Sequence, residues 1–278
     1  MKFLLVFLAV GMLSTARAQT LENTSTREEN VHILSQNFEI PQLDRERRIW
    51  IYLPPSYGIS KRKKYPVMYL HDGQNLFDKS TSYAGEWGVD ETLNHLAKEG
   101  YAESIVVGID NGAEKRMDEL SAFKNEEYKA GGSGNQYLAF VVETLKPYID
   151  SHYRTKPSRK NTTLGGSSLG ALISVYGGVK YPDTFGNIIA FSSAFWFNRD
   201  ALMNYIKESD QSLKKQKYYF IEGEKESFDM GKDTSKVISL LKAKGVKDKN
   251  IYYKVHPDGK HNEAYWNREF PGAYKWLH

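Results

Sequence analysis

The chain of 278 residues contains no cysteine. Disulfides, thiolate metal clusters and a cysteine nucleophile are excluded together. Net charge is also scarce. Thirty-eight Lys and Arg stand against 34 Asp and Glu, and the resulting +4 is too small to argue for nucleic acid. The densest basic run, Lys61-Arg62-Lys63-Lys64, reads as a solvated loop ahead of a strand. The seven histidines are scattered without an H-x-x-x-H pair, so neither a metal nor a cofactor is expected. No apolar run is long enough to span a membrane. No repeat, linker or composition shift marks a second domain.

What is present is a large apolar complement. Hydrophobic residues make up 40% of the chain and aromatics 13%, which suits one α/β domain with a substantial core. Residues 1–18 read instead as a targeting segment. Lys2 supplies the positive start, Phe3 to Leu13 the apolar stretch, and Ala16-Arg17-Ala18 a small-x-small cleavage site. The expected mature chain, 19–278, starts at Gln19 in a periplasm or outside the cell. Losing Lys2 and Arg17 leaves it at +2.

The most informative stretch is Gly166-Ser167-Ser168-Leu169-Gly170, a G-x-S-x-G pattern. A bare match arises by chance in roughly one chain of this length in ten, so its context matters. Asn161 to Leu164 can form a buried strand before it, and Leu169 to Tyr176 a buried helix after it. Strand, tight turn and helix is the setting of a nucleophile elbow. Ser167 lacks a glycine two positions on, so the spacing selects Ser168.

The rest of the chain alternates between strands and helices. Two antiparallel strands are expected over His32–Ile40 and Arg45–Leu53. Tyr65–Leu70 reads as a buried strand running into His71-Asp72-Gly73-Gln74, where His71 is expected to hold the turn by a hydrogen bond. A helix opens with Asp90 as its cap, and Ser104–Ile109 is a strand covered on both faces. Residues 111–134 read as a long polar loop rimming the site, followed by a helix over Asn135–Ile149. Strands at Asn187–Phe191, Lys217–Ile221 and Asn250–His256 follow, with helices over Thr234–Lys244 and from about Glu263 to Trp276. The expected fold is a mostly parallel α/β sheet with helices on both faces and antiparallel strands at the start.

In such a fold the serine is followed by an acid and then a histidine. His261 fits the base, because it lies in a glycine turn after the last strand. His256 sits inside that strand, and His278 ends the chain. Glu224, Glu226 and Asp229 share the loop where the acid belongs, whereas Glu222 lies too near its strand to reach over.

Several blocks in order resemble a family of α/β-hydrolases. That esterase family includes enterochelin, feruloyl and acetyl-xylan esterases, S-formylglutathione hydrolases and mycolyltransferases. The blocks are Y-L-H-D-G-Q-N-L-F at Tyr69–Phe77, W-G-V-D-E-T-L at Trp87–Leu93, I-V-V-G-I-D-N at Ile105–Asn111 and L-K-P-Y-I-D at Leu145–Asp150. G-G-S-S-L-G at Gly165–Gly170, Y-P-D-T-F-G at Tyr181–Gly186 and G-K-H-N at Gly259–Asn262 complete them. The resemblance implies an α/β-hydrolase fold with Ser168 as nucleophile and His261 as base. Its G-x-x-[DE] segment matches Gly223–Glu226, which selects Glu226 as the acid. It implies oxyanion donors at the N–H groups of Leu169 and Gln74, and it places Trp87, Trp196 and Trp266 in pocket-lining segments, although as plain residues they read equally as core. Ala171 stands where many members have a second glycine. The implied partner is a small-molecule or polysaccharide-linked ester, with catecholate siderophore lactones as the alternative and a silent carbohydrate-binding protein as a third. Edman sequencing of the exported protein is expected to begin at Gln19; an N-terminus still carrying residues 1–18 would refute the cleavage site.

Overall fold

The computed structural model describes residues 24–226 and 230–278. The targeting segment expected over residues 1–18 therefore lies outside the described residues. Strands β1 (Val31–Ile40) and β2 (Arg45–Tyr52) form the antiparallel pair. β3 (Val67–His71) is followed by helix α1 (Val89–Lys98), and β4 (Ile105–Ile109) by a short helix α2 (Arg116–Glu119). A hairpin of β5 (Lys124–Asn125) and β6 (Ala130–Gly131) comes next. Helix α3 (Gly134–Ala139) runs through a π-helical segment, Phe140–Leu145, into α4 (Lys146–His152). β7 (Thr162–Ser167), α5 (Leu169–Lys180), β8 (Asn187–Phe191) and α6 (Arg199–Glu208) follow. The chain closes with β9 (Lys217–Gly223), α7 (Met230–Ala243), β10 (Ile251–His256) and α8 (Glu263–Leu277).

Eight strands form one sheet in the order β1-β2-β4-β3-β7-β8-β9-β10. Pairing is antiparallel from β1 through β2 to β4 and parallel beyond. This is the α/β-hydrolase architecture. The chain leaves β3 toward one edge and leaves β7 toward the other. The carboxyl ends of β3 and β7 therefore flank a topological switch point, where open α/β sheets form a crevice.

Strand alternation divides the core. Tyr69, Leu164, Ile188 and Phe220 face one side under α3 to α7, while Leu70, Ile189, Phe191 and Ile221 face the other under α1 and α8. Near-continuous apolar strands with both faces covered are what a parallel sheet requires.

Three expectations need correction. Asp90 does not cap α1; Gly88 does, in a left-handed conformation (φ 58), and the Asp90 carboxylate accepts the Glu28 N–H at 2.9 Å. The 111–134 stretch is not all loop, since it holds α2 and the β5–β6 hairpin. The helix expected over Asn135–Ile149 widens to a π turn just ahead of Pro147, whose missing N–H cannot continue the α ladder.

His71 is also placed differently from expectation. It is the last residue of β3, 1% exposed, and shares a 2.7 Å hydrogen bond through Nδ1 with the Tyr137 hydroxyl of α3. It ties strand to helix rather than holding its own turn. Burial lowers its pKa to about 4, so the ring stays neutral. The unfolded chain binds that proton near pH 6.5, so this contribution to stability is complete above pH 6.5 and is lost as pH falls toward 4. Tyr137→Phe is expected to cost about 1–3 kcal/mol in urea unfolding at pH 7.5, because it leaves the buried imidazole unpartnered. An unchanged midpoint would refute the role.

Candidate active site

Ser168 sits between β7 and α5 with φ 56 and ψ −121, a conformation that costs a non-glycine residue about 1–3 kcal/mol. The surroundings enforce it. The Ser168 N–H donates to the Phe191 carbonyl at 2.9 Å, and the Ser168 carbonyl accepts the Ala194 N–H at 3.1 Å. A Cβ on Gly166 would lie 3.1 Å from the Gly170 backbone and 3.2 Å from His71. Glycine at this position lets the turn close against the end of β3.

Leu169 opens α5, and Gln74 lies in the single helical turn Gly73–Asn75 after β3. N–H groups at the first positions of such turns have no intrahelical acceptor, so both are available to a developing oxyanion. Gly73 seats that turn on β4, since a Cβ there would come within 2.8 Å of the Gly108 and Ile109 backbone.

His261 follows β10, and its neighbour Asn262 caps α8 by accepting the Tyr265 N–H at 3.0 Å. Glu226 follows β9. Its side chain is 1% exposed, and its Oε2 lies 4.0 Å from His261 Nδ1. The two loops meet back to back at their glycines. A Cβ on Gly223 would sit 2.3 Å from the Gly259 backbone. Hydrogen bonds from Lys225 N–H to the Gly259 carbonyl (3.1 Å) and from Glu224 N–H to the His256 carbonyl (3.0 Å) stitch them together. Ser168, His261, Gln74, Arg116, Glu263 and Trp266 all line one cleft of about 610 Å³.

A strained serine, a histidine and a buried carboxylate thus converge at the carboxyl edge of the sheet. Residues 40–277 match the model of the family described as "Putative esterase". The chain belongs to that family. A Bacillus subtilis relative named "Uncharacterized protein YbbA" is 26% identical over 245 residues, covering 84% of this chain and 92% of its own. "Endo-1,4-beta-xylanase/feruloyl esterase" of Xylanibacter ruminicola is 25% identical over 78% of this chain and 27% of its own. "Iron(III) enterobactin esterase" of Dickeya dadantii is 27% identical over 61% and 34%. Among solved structures, a ferulic acid esterase superposes with a TM-score of 0.67 at 20% identity, over 89% of this chain and 96% of its own. The enterobactin esterase of Shigella flexneri reaches 0.71 at 18% identity, over 90% and 59%. The protein is a carboxylic ester hydrolase. No helix among the described residues is long and apolar enough to cross a membrane.

The other expected site residues separate in this esterase. Trp266 stands on the cleft wall, and its ring meets His261 edge-on at 5.2 Å. Trp87 does not line the cleft; it is 3% exposed and stacks on Phe191 at 5.3 Å, within the core. Trp196 also lies off the cleft, against Tyr128 and Phe197. Both tryptophans sit next to site segments in sequence, but the loop ahead of α1 and the helical turn Phe195–Asn198 direct them into packing. Glu224 is exposed and outside the cleft, and Asp229 lies outside the described residues. Glu222 is fully buried, accepts the Thr234 hydroxyl at 2.6 Å and the Ser193 N–H at 3.2 Å, and burial raises its pKa to about 8. His256 pairs with Glu269 at 3.2 Å, away from the cleft.

Spacing rules missed Arg116 and Glu263. Arg116 donates through Nε and Nη2 to both oxygens of Asp72 at 2.7 and 2.9 Å. Burial works against the charge on Asp72, but Arg116 outweighs it and holds the carboxyl below its ordinary range. Glu263, two residues past His261, is raised above the ordinary range, chiefly by burial. Neither belongs to a short motif; each reaches the site from the start of a helix. Away from the cleft, ligand atoms of Glu86, Asp90 and Glu91 lie within 4.8 Å of one another at the start of α1, a cluster no spacing pattern flagged.

The glycine contact yields a test. Gly223→Ala is expected to push the Glu226 loop off the His261 loop and lower kcat/KM at least about tenfold, consistent with a displacement near 1 Å at the site. Wild-type kcat/KM in a folded Gly223→Ala variant would show that the contact does not set the geometry.

Proposed function

We propose that this esterase is exported, that residues from Gln19 onward act as one hydrolase domain, and that it cleaves an uncharged acyl ester through Ser168, His261 and Glu226. The observation that carries the reading is that the strained Ser168 and His261 line one cleft while the buried Glu226 carboxylate backs His261, its Oε2 4.0 Å from His261 Nδ1. A serine hydroxyl is a weak nucleophile at neutral pH. His261 takes the Ser168 Oγ proton as the oxygen attacks the ester carbonyl. The Leu169 and Gln74 N–H groups hold the oxyanion, and Glu226 stabilises the imidazolium. The tetrahedral species collapses, the C–O bond to the alcohol breaks, and His261 returns the proton to the leaving oxygen. Water then attacks the acyl-enzyme by the same steps and frees the acid.

The substrate reading is a carbohydrate-linked acetyl or feruloyl ester, and charge supports it. Among the described residues Arg116 is the only Lys or Arg on the cleft wall, and Asp72 already neutralises it. Glu263 adds a further carboxyl. Such a wall suits a neutral, hydroxyl-rich alcohol better than a polyanionic tri-catecholate. Catecholate lactone hydrolysis stays as the second reading because the Dickeya dadantii relative is named an iron(III) enterobactin esterase.

Ser168→Ala is expected to lower kcat on p-nitrophenyl acetate by at least about 10³-fold, and Glu226→Gln by about 10²–10⁴-fold. Acetylated and feruloylated xylan should be cleaved faster than a tri-catecholate lactone. Equal activity of Ser168→Ala and wild type would end the serine mechanism. Strong preference for the lactone would reverse the substrate assignment, and sugar binding with no turnover would favour the silent binding protein.

A further inference from the structure

Behind the acid lies a hydrogen-bond chain that the expected Ser-His-Glu set does not contain. The Trp266 indole N–H donates to Ser192 Oγ at 2.7 Å, and the Ser192 hydroxyl donates to Glu226 Oε1 at 2.5 Å. The direction of this chain is forced at both ends. An indole nitrogen can only donate, and a carboxylate can only accept. Ser192 Oγ must therefore receive from Trp266 and point its single proton at Glu226.

The consequence falls on the other carboxylate oxygen. Glu226 Oε2 is buried and has no hydrogen-bond partner among the described residues, and it is the oxygen that lies 4.0 Å from His261 Nδ1. A glutamate arm has more free torsions than an aspartate arm and loses more rotamer freedom when held. Occupying Oε1 from behind leaves Oε2 as the face that meets the base. The nearby carboxyl of Glu222 is taken up by Thr234 and the Ser193 N–H, so it does not compete for the Ser192 hydroxyl.

Backbone strain marks the same residue. Ser192 follows β8 with φ 48, in the left-handed region, and its N–H donates to the Ile221 carbonyl of β9 at 2.8 Å. Its side chain is thus aimed by the sheet itself. Trp266 then touches both halves of the pair, with its N–H supporting the acid through Ser192 and its ring edge-on against His261 at 5.2 Å.

We infer that Ser192 and Trp266 are positioning residues: a Trp266–Ser192–Glu226 relay holds the acid so that its free oxygen faces His261. The inference rests on Glu226 being the acid. Ser192 is not among the residues that line the cleft, so its part in the relay acts on turnover and not on ground-state binding.

The experiment measures kcat and KM for p-nitrophenyl acetate in Ser192→Ala, Ser192→Gly, Trp266→Phe and the Ser192→Ala/Trp266→Phe double variant of the full chain. Ser192→Gly removes the hydroxyl where glycine accepts the positive φ without strain, so it reports even if the alanine variant fails to fold. Expected is a kcat about 10–100-fold lower for both Ser192 variants with KM within about twofold. Trp266→Phe should lose less alone and add no further kcat loss in the Ser192→Ala background, as members of one network do. Wild-type kcat in a folded Ser192→Gly would overturn the relay, as would losses that simply multiply in the double variant. Ser168→Ala and Glu226→Gln run alongside separate the two failures. Their inactivity beside an active Ser192→Gly leaves the triad standing and removes the relay, whereas an active Glu226→Gln removes both.

Discussion

The site depends on one constraint: a serine held at positive φ where the backbone of β7 turns into α5. The cost of about 1–3 kcal/mol is borne because hydrogen bonds to Phe191 and Ala194 over-determine the turn. The glycines on either side let it press on the end of β3. The same device recurs beside it. Asp72 after β3 and Ser192 after β8 also stand at positive φ, at 56 and 48. Three successive strand ends thus aim a side chain over the carboxyl edge, and each is used. Asp72 holds Arg116, Ser168 lines the cleft, and Ser192 holds Glu226.

A second constraint joins the remaining two loops. Gly223 and Gly259 sit so close that neither tolerates a side chain. Backbone hydrogen bonds then lock the loop after β9 to the loop after β10. Glu226 and His261, 35 positions apart in sequence, are brought together by backbone contact between their loops.

Much of the fold was legible because its signals are local. Buried parallel strands read as apolar runs, so β4 and β8 were placed almost to the residue, and the elbow carried its own glycines. The positions of Ser168 at the elbow and of His261 after the last strand were legible from the local pattern, whereas loop position left Glu224, Glu226 and Asp229 open and only the family blocks pointed to Glu226. The sequence misled where a residue's role depends on which way a turn points it. Trp87 and Trp196 flank site segments but turn into packing, and Asp90 looks like a cap although Gly88 takes that place. Arg116, Glu263 and Ser192 carried no recognisable spacing, because each works through a partner distant in sequence.

By itself the sequence determined the class of fold, the order along the chain of the eight strands of its main sheet, the serine in its elbow and the histidine after the last strand. These follow from period, composition and turn chemistry, which act over a few residues. The tertiary structure alone decided which carboxylate is buried beside His261, which tryptophan reaches the cleft, and that an indole and a hydroxyl stand behind Glu226. Those facts depend on the crossing of strands around the switch point, and no local pattern encodes which loops will meet there.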